Sequence, residues 1–325
     1  MNFTQNPKGK YDGYCIIKSL EKKITSKGAP YLSLRLSDSD GEIEAKWWDY
    51  HEEPGTEFRA FDFVKVRGDY VVFSNEKQFR IDMMRPVRPE DEVRIEDYVP
   101  SAVLPGEMMY DEIEKIVIDF RNDEIKRLVM VILESRKEKL IYWPAAKALH
   151  HAVRGGLLMH TLTMLRLAAA VSSIYTYINY ELLCAGVILH DIAKTDEISS
   201  SETGMAGDYT APGNLIGHLV LGAMEIDRVG RDIGVSEDIL MLLEHMLISH
   251  HGIPEYGAAK YPMTIEAQAL SMLDDLDAKM YEFKSAVFRI EPGEFTEKMK
   301  MLDNRQLYNH GRSNDGEVDL AADDR

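Results

Sequence analysis

From residue 10 to about residue 88, apolar and polar positions alternate with the two-residue period of β-strands. Tyr14 and Ile16 carry the pattern first, then Tyr31, Leu32, Leu34 and Leu36, then Ile43, Ala45 and Trp47. Turn chemistry separates these runs. Lys27-Gly28-Ala29-Pro30 breaks the first strand pair, and Ser39-Asp40-Gly41 closes the second as a tight hairpin. Further strands are expected over 62–73 and 78–84, with Ser74-Asn75-Glu76-Lys77 between them. About five strands in so short a stretch predict a small closed barrel.

From about Tyr110 the period becomes helical, as in Ile113, Ile116, Val117 and Phe120, and it stays helical to about Met301. The fold class expected is therefore a multidomain α and β protein, an N-terminal small β-barrel followed by an all-α bundle. The proline-rich, charged run from Arg85 to Glu92 and the two prolines within 98–106 place the boundary between them. The division expected is a barrel over 10–90, a linker over 91–109, a helical domain over 110–302, and a disordered acidic tail over 303–325. That tail carries too few apolar residues to offset its ordering entropy.

The 325 residues hold 38 Lys+Arg against 55 Asp+Glu, a formal charge of −17, which argues against holding nucleic acid through bulk positive charge. The imbalance is uneven: residues 1–95 carry 16 basic and 17 acidic side chains, so the barrel is nearly neutral and the excess lies in the helical part. Two cysteines, Cys15 and Cys184, both in apolar runs, exclude a disulfide scaffold and a cysteine zinc site. The N-terminus lacks a signal-peptide core, and no stretch approaches the roughly 18 uncharged apolar residues of a membrane span. A cytoplasmic protein without a membrane partner is expected.

Within the barrel, basic residues alternate with aromatic ones, a mixture suited to phosphate contacts beside base-stacking faces. Lys46, Trp47, Trp48, Lys65, Arg67 and Phe73 are the candidates for binding nucleic acid. The competing explanation is ordinary: strand aromatics mostly belong to cores, and lysines and arginines on a sheet's outer face are mostly solvated.

Eight of the ten histidines fall between residues 150 and 251. His190-Asp191 ends the apolar run 182–189, delivering an imidazole and a carboxylate at a buried helix end, where an ionised Asp needs a cation. His160 lies in a helix apolar on nearly every face, and His218 is similarly enclosed in 215–221. Ala267, Leu270 and Asp274 are spaced three and four apart, so Asp274 projects from an apolar helix face while Asp275 turns away. Nitrogen and carboxylate ligands without thiolates suit Mn²⁺, Fe²⁺, Co²⁺, Ni²⁺ or Zn²⁺.

His160, His190-Asp191 and Asp274 together resemble the H…HD…D signature of the HD-domain metal-dependent phosphohydrolases. His218 and His250-His251-Gly252 resemble the extra histidines of two-metal members. The resemblance implies one metal on His160, His190, Asp191 and Asp274, and a second on Asp191, His218, His250 and His251, with Asp191 bridging. A barrel followed by such a domain resembles the YhaM-type 3′→5′ exoribonucleases over roughly residues 10–300. The motifs are Pro144–Lys147, His150–His160, Leu189–Lys194, Leu215–His218, Ser249–Gly252 and Leu273–Lys279. Met159 and Asp275 depart from the family pattern, which expects an acidic residue and Asn there. The family's barrel is an OB-fold taken to bind single-stranded nucleic acid.

The resemblance implies two divalent ions, with Mn²⁺ preferred, that activate water for attack on phosphorus. Asp191 is the central catalytic candidate. Lys194 and Arg154 are candidates for binding phosphate oxygens, and His151, with His150, for protonating the leaving oxygen or contacting sugar. His245 is assigned a structural role. The function expected is removal of nucleoside 5′-monophosphates from the 3′ end of single-stranded RNA, and of single-stranded DNA as a further substrate, by a homo-oligomer. Two alternatives stay open: a phosphohydrolase for cyclic nucleotides, cyclic dinucleotides or nucleoside polyphosphates with a regulatory barrel, and an inert HD domain in a nucleic-acid-binding or assembly protein.

Overall fold

A computed structural model describes residues 9–38, 41–48, 50, 57–73, 76–147, 151–314 and 316–320. The chain divides into two compact units, the first comprising residues to Ser101 together with 201–205, the second the remainder.

The first unit is built on five strands: β1 (Lys10–Ile24), β2 (Pro30–Asp38), β3 (Gly41–Trp48), β4 (Phe63–Phe73) and β5 (Glu76–Pro86). They close in the order β1-β2-β3-β5-β4, with β3 and β5 parallel and the other pairs antiparallel. This is the five-stranded Greek-key barrel of an OB-fold. Strand alternation fills the interior with Cys15, Ile17, Leu32, Leu34, Leu36, Ala45, Val64, Val66, Phe79 and Ile81. The predicted hairpin residues Ser39 and Asp40, and Ser74 and Asn75, lie outside the described residues.

The segment after β5, expected as a linker, is folded onto this unit. Arg85 grips Asp91 through both oxygens at 2.6 and 2.7 Å, Tyr14 donates to the same carboxylate, and Tyr98 packs against Phe63 and Tyr14. Charge and proline suggested a spacer; a two-point guanidinium pair and aromatic packing make it part of the domain.

The second unit contains α1 (Gly106–Ile118), α2 (Asp123–Leu140), α3 (Gly156–Ile174), α4 (Tyr180–Leu189), the short α5 (Lys194–Glu197), a hairpin of β6 (Ile198–Ser200) and β7 (Ala206–Tyr209), α6 (Ala211–Leu215), α7 (His218–Ile233), α8 (Glu237–Ser249) and α9 (Ile265–Val287). Side-chain oxygens of Asn122, Asn179 and Thr264 cap α2, α4 and α9. At the centre, α3 lies against α1, α4 and α9, and α4 lies against α8 and α9. The start of α3 needs its glycines: Gly155 is left-handed, and a Cβ on Gly156 would meet the His151 carbonyl oxygen at 1.9 Å.

Two expectations are revised. α3 has the length and hydropathy to cross a membrane, yet Gly156–Leu165 is buried throughout, so its apolarity reflects a central position in the bundle. The stretch from 303 onward was expected to be disordered. Among its described residues, Leu307 and Leu320 are buried, Asn309 donates to the Val287 and Ile290 carbonyls, and bridges join Phe295 to Tyr308 and Met299 to Arg305. Isolated leucines within a polar run have no periodicity to reveal them.

The Arg85–Asp91 pair makes the first unit acid-sensitive. Hydrogen bonds from the Arg85 guanidinium, then from the Arg88 amide, hold the Asp91 carboxyl well below the usual carboxylate range. Its stabilisation is complete above about pH 4 and is lost as pH falls toward the depressed value. Asp91→Asn will lower the thermal midpoint of the barrel transition at pH 7, and the gap from wild type will narrow below about pH 4; a gap independent of pH would contradict this.

Candidate metal centre and nucleic-acid face

Five elements deliver the histidines and carboxylates to one buried place: α3 brings His160, the end of α4 brings His190 and Asp191, the start of α7 brings His218, the end of α8 brings His250 and His251, and α9 brings Asp274. His160 Nε2 lies 3.3 Å from His190 Nε2 and 3.3 Å from Asp274 Oδ1. His190 Nε2 is 3.2 Å from Asp191 Oδ2. The other oxygen of the same carboxylate faces the second half of the cluster, with Asp191 Oδ1 3.3 Å from His218 Nε2 and 4.0 Å from His250 Nε2. His250 stands between the halves, within ligand-sharing distance of His190 and Asp274 on one side and of His218 and His251 on the other.

The rings are aimed by what holds their other nitrogen. His190 and His250 each place Nδ1 2.7 Å from a carbonyl oxygen three residues earlier, on Val187 and Leu247. His160 places Nδ1 2.6 Å from Asp277 Oδ2, and His218 places Nδ1 2.9 Å from Glu197 Oε1. With an acceptor beside each of these four Nδ1 atoms, Nε2 is the ring atom turned inward in every case.

Burial alone would raise the carboxyls, but their neighbours outweigh it. The Asp191 carboxyl is held well below its ordinary range by His190 and Lys194 against desolvation, and Asp274 is likewise lowered by His160 and His190. Burial opposes a charge on His160, yet hydrogen bonds to Asp274 and Asp277 raise it to about 9. Desolvation pushes His250 well down, keeping that imidazole neutral.

This donor set fits divalent cations. Asp191 Oδ1, His218 Nε2 and His250 Nε2 are buried, point together, and have no hydrogen-bond partner among the described residues. Buried polar atoms are rarely left so, because each would otherwise lose its water without replacement. Imidazole nitrogens and carboxylate oxygens without thiolate are the ligands of first-row divalent metals. A further grouping, His151, His160 and Asp277, is already joined by contacts of 2.6 and 2.8 Å, which makes it a hydrogen-bonded support for the cluster.

The remaining candidates fall in varied places. Lys194 reaches the centre, its Nζ 2.6 Å from Asp191 Oδ2. His151 has no exposed surface; its Nε2 is 2.8 Å from Asp277 Oδ2 and its ring packs on Tyr281, so it stands behind His160 rather than among the clustered ligand atoms. Arg154 lies over the Tyr142 ring. His150 lies outside the described residues. His245 accepts from the Met263 amide, and Asp275 pairs with Lys279 away from the cluster.

Asp277 and Glu197 complete the cluster without being among the residues that the sequence singles out. Asp277 continues the Ala267, Leu270, Asp274 spacing by three more residues, so the helical period already placed it on the buried face. Glu197 has only its place in the turn after Lys194 to mark it, and its partner His218 lies 21 residues on.

On the barrel, β2 and β3 present an aromatic and basic outer face. Trp48, 44% exposed, stacks on Tyr31 at 4.6 Å, and Lys46 lies over the same tyrosine ring and contacts Ser33 Oγ at 2.8 Å. Lys65 and Arg67 sit on β4 beside β1, where Lys65 faces Tyr14 and Asp12. Trp47, expected beside Trp48 in the interface, turns inward against Tyr50 and Phe58, because neighbouring strand residues face opposite sides. The Phe73 side chain lies outside the described part.

Comparison with known proteins agrees with this architecture. The HD domain family model matches residues 157–279, and a second model, TraI_2, matches residues 99–180. The 3′-5′ exoribonuclease YhaM of Bacillus subtilis is 36% identical over 91% of this chain and 94% of its own length. YhaM of a Geobacillus species is 38% identical over 91% of each chain. A solved replication protein A heterotrimer bound to ssDNA is similar over 26% of this chain and 62% of that one, at 23% identity and a TM-score of 0.21, which adds nothing to the strand order described above.

If Asp191 serves both halves of the cluster, Mn²⁺ at 100 times its dissociation constant will stabilise chelator-stripped protein by about 2.7 kcal/mol per site. Asp191→Asn will remove most of that gain. An undiminished shift in scanning calorimetry would detach Asp191 from the cations.

Proposed function

The chain belongs to the family of YhaM 3′-5′ exoribonucleases and is a hydrolase of the nuclease type, and from that premise we propose that it shortens single-stranded RNA from the 3′ end with two divalent cations, releasing nucleoside 5′-monophosphates. The observation carrying this is the convergence of unpartnered, buried Asp191 Oδ1, His218 Nε2 and His250 Nε2 beside the His160, His190 and Asp274 group.

His160, His190, Asp191 and Asp274 hold one cation in this account, and Asp191, His218, His250 and His251 the other, with Mn²⁺ the preferred ion. Bound there, the cations supply an activated water and neutralise charge on the phosphate oxygens. Asp191 contributes one oxygen to each half. Lys194 steadies that carboxylate and carries a buried ammonium to where a phosphate oxygen would be received. Desolvation opposes this ammonium, but Asp191 outweighs it and keeps the lysine protonated through the neutral range. The desolvated His250 remains a neutral lone-pair donor.

The barrel captures substrate in this account. Trp48 and Tyr31 offer a stacked aromatic platform and Lys46 a cation beside it, on the β2–β3 face that OB-folds use for oligonucleotides. Such a platform tolerates any base, and single-stranded DNA is accepted where the 2′-hydroxyl is not required. The enzyme works in the cytoplasm, where its two free, buried cysteines stay reduced.

Two oligoribonucleotides labelled at the 5′ end, one with a free 3′ hydroxyl and one blocked there, test the reaction on chelator-stripped protein resupplied with Mn²⁺. A ladder shortening from the open end, absent without metal and absent for the blocked strand, is the expected result; survival of both strands under several divalent metals would overturn it. For capture, Trp48→Ala will weaken oligoribonucleotide binding by about 1–3 kcal/mol, roughly five- to 150-fold, in fluorescence anisotropy. Trp47→Ala will instead lower the barrel's thermal midpoint, because that ring is packed inward.

A further inference from the structure

The four histidines held through Nδ1 are not held alike. His190 and His250 meet backbone carbonyls, whereas His160 and His218 meet carboxylates, on Asp277 and Glu197. The two carboxylate-held rings fall one in each half of the cluster: His160 with His190 and Asp274, His218 with Asp191 Oδ1 and His251. A carbonyl fixes the ring's tautomer and direction. A carboxylate does this and also, through its charge, raises the electron-donating power of the opposite nitrogen.

Both carboxylates are themselves fixed. Asp277 Oδ2 is met by His151 Nε2 at 2.8 Å as well as by His160, and His151 is locked between Tyr281 and the close backbone approach at Gly156. Glu197 Oε1 accepts from the His218 backbone amide as well as from its ring. The short α5 that carries Glu197 is clamped from α2, where Arg136 pairs with Asp196 at 2.6 Å, and from the turn after α2, where Trp143 Nε1 donates to the Lys194 carbonyl at 3.0 Å. Both carboxylates lie on the far side of their imidazoles from the cluster, so neither is a ligand to it.

Resting on the two-cation account above, we propose that Asp277 and Glu197 are positioning residues that set the affinities of the two cation sites separately, Asp277 through His160 and Glu197 through His218. Each acts on a different ring from a different element, so weakening one leaves the other site intact.

Titration of chelator-stripped full-length protein with Mn²⁺, followed by calorimetry and by the Mn²⁺ electron paramagnetic resonance signal, tests this without reference to activity. Wild type is expected to take two ions. Asp277→Asn and Glu197→Gln preserve volume and an acceptor oxygen while removing charge, and each is expected to weaken one site by roughly 10- to 100-fold while sparing the other. In a His218→Ala background Asp277→Asn will still weaken the remaining site; in a His160→Ala background it will have no further effect. Glu197→Gln will behave in the opposite way. The retained ion serves as the folding control for each variant, and either variant decides its own half alone. Two sites of wild-type affinity in both variants, or equal weakening of both sites by each, would overturn the proposal and leave the two-cation account standing. Wild type that takes fewer than two ions would remove that account and the proposal with it.

Discussion

A buried carboxylate ringed by imidazoles is the constraint around which the helical unit is organised. Asp191 has one oxygen toward His190 and Lys194 and the other toward His218 and His250, and almost none of its surface is exposed. Removing such a group from water is strongly unfavourable unless positive charge and directed donors replace the solvent. Lys194 provides part of that compensation, and the remaining oxygen and two facing Nε2 atoms, unpartnered among the described residues, mark where divalent cations would complete it.

The arrangement of helices follows from that requirement. The clustered histidines and carboxylates come from α3, α4, α7, α8 and α9, so the centre exists only when the bundle is assembled. The packing of α3 against both α4 and α9 brings His160, His190 and Asp274 within reach, while Gly156 lets the backbone of the preceding turn approach closely enough to seat His151 behind Asp277. Directing the rings falls to their second nitrogens. Two are aimed by carbonyls of their own helix, which any folded helix end supplies; two are aimed by carboxylates from elsewhere, which only the tertiary fold supplies.

Much of this was legible in the chain. Alternation in the first 90 residues predicted five strands, and the barrel closes from five; the shift to a helical period near Tyr110 predicted the bundle, whose first helix starts at Gly106. His160, His190-Asp191 and Asp274 stood out because polar residues in apolar runs are conspicuous, and the structure gathers them. What escaped is equally physical. Trp47 and Trp48 carry the same aromatic signal, yet a strand sends neighbours to opposite faces, and Trp48 alone of the two reaches the outer one. Asp277 obeyed the same helical spacing as Asp274. Glu197 and the packing of residues 87–98 onto the barrel depend on contacts between distant positions, which periodicity does not encode.

The central claim is that one carboxylate, Asp191, is shared by two cations. Crystals grown with Mn²⁺ and measured at wavelengths on either side of the manganese absorption edge test it most directly. The account predicts two anomalous peaks, one bounded by His160, His190 and Asp274, the other by His218, His250 and His251, with a different oxygen of Asp191 on each. A single peak, or two peaks of which one lacks Asp191, would contradict it.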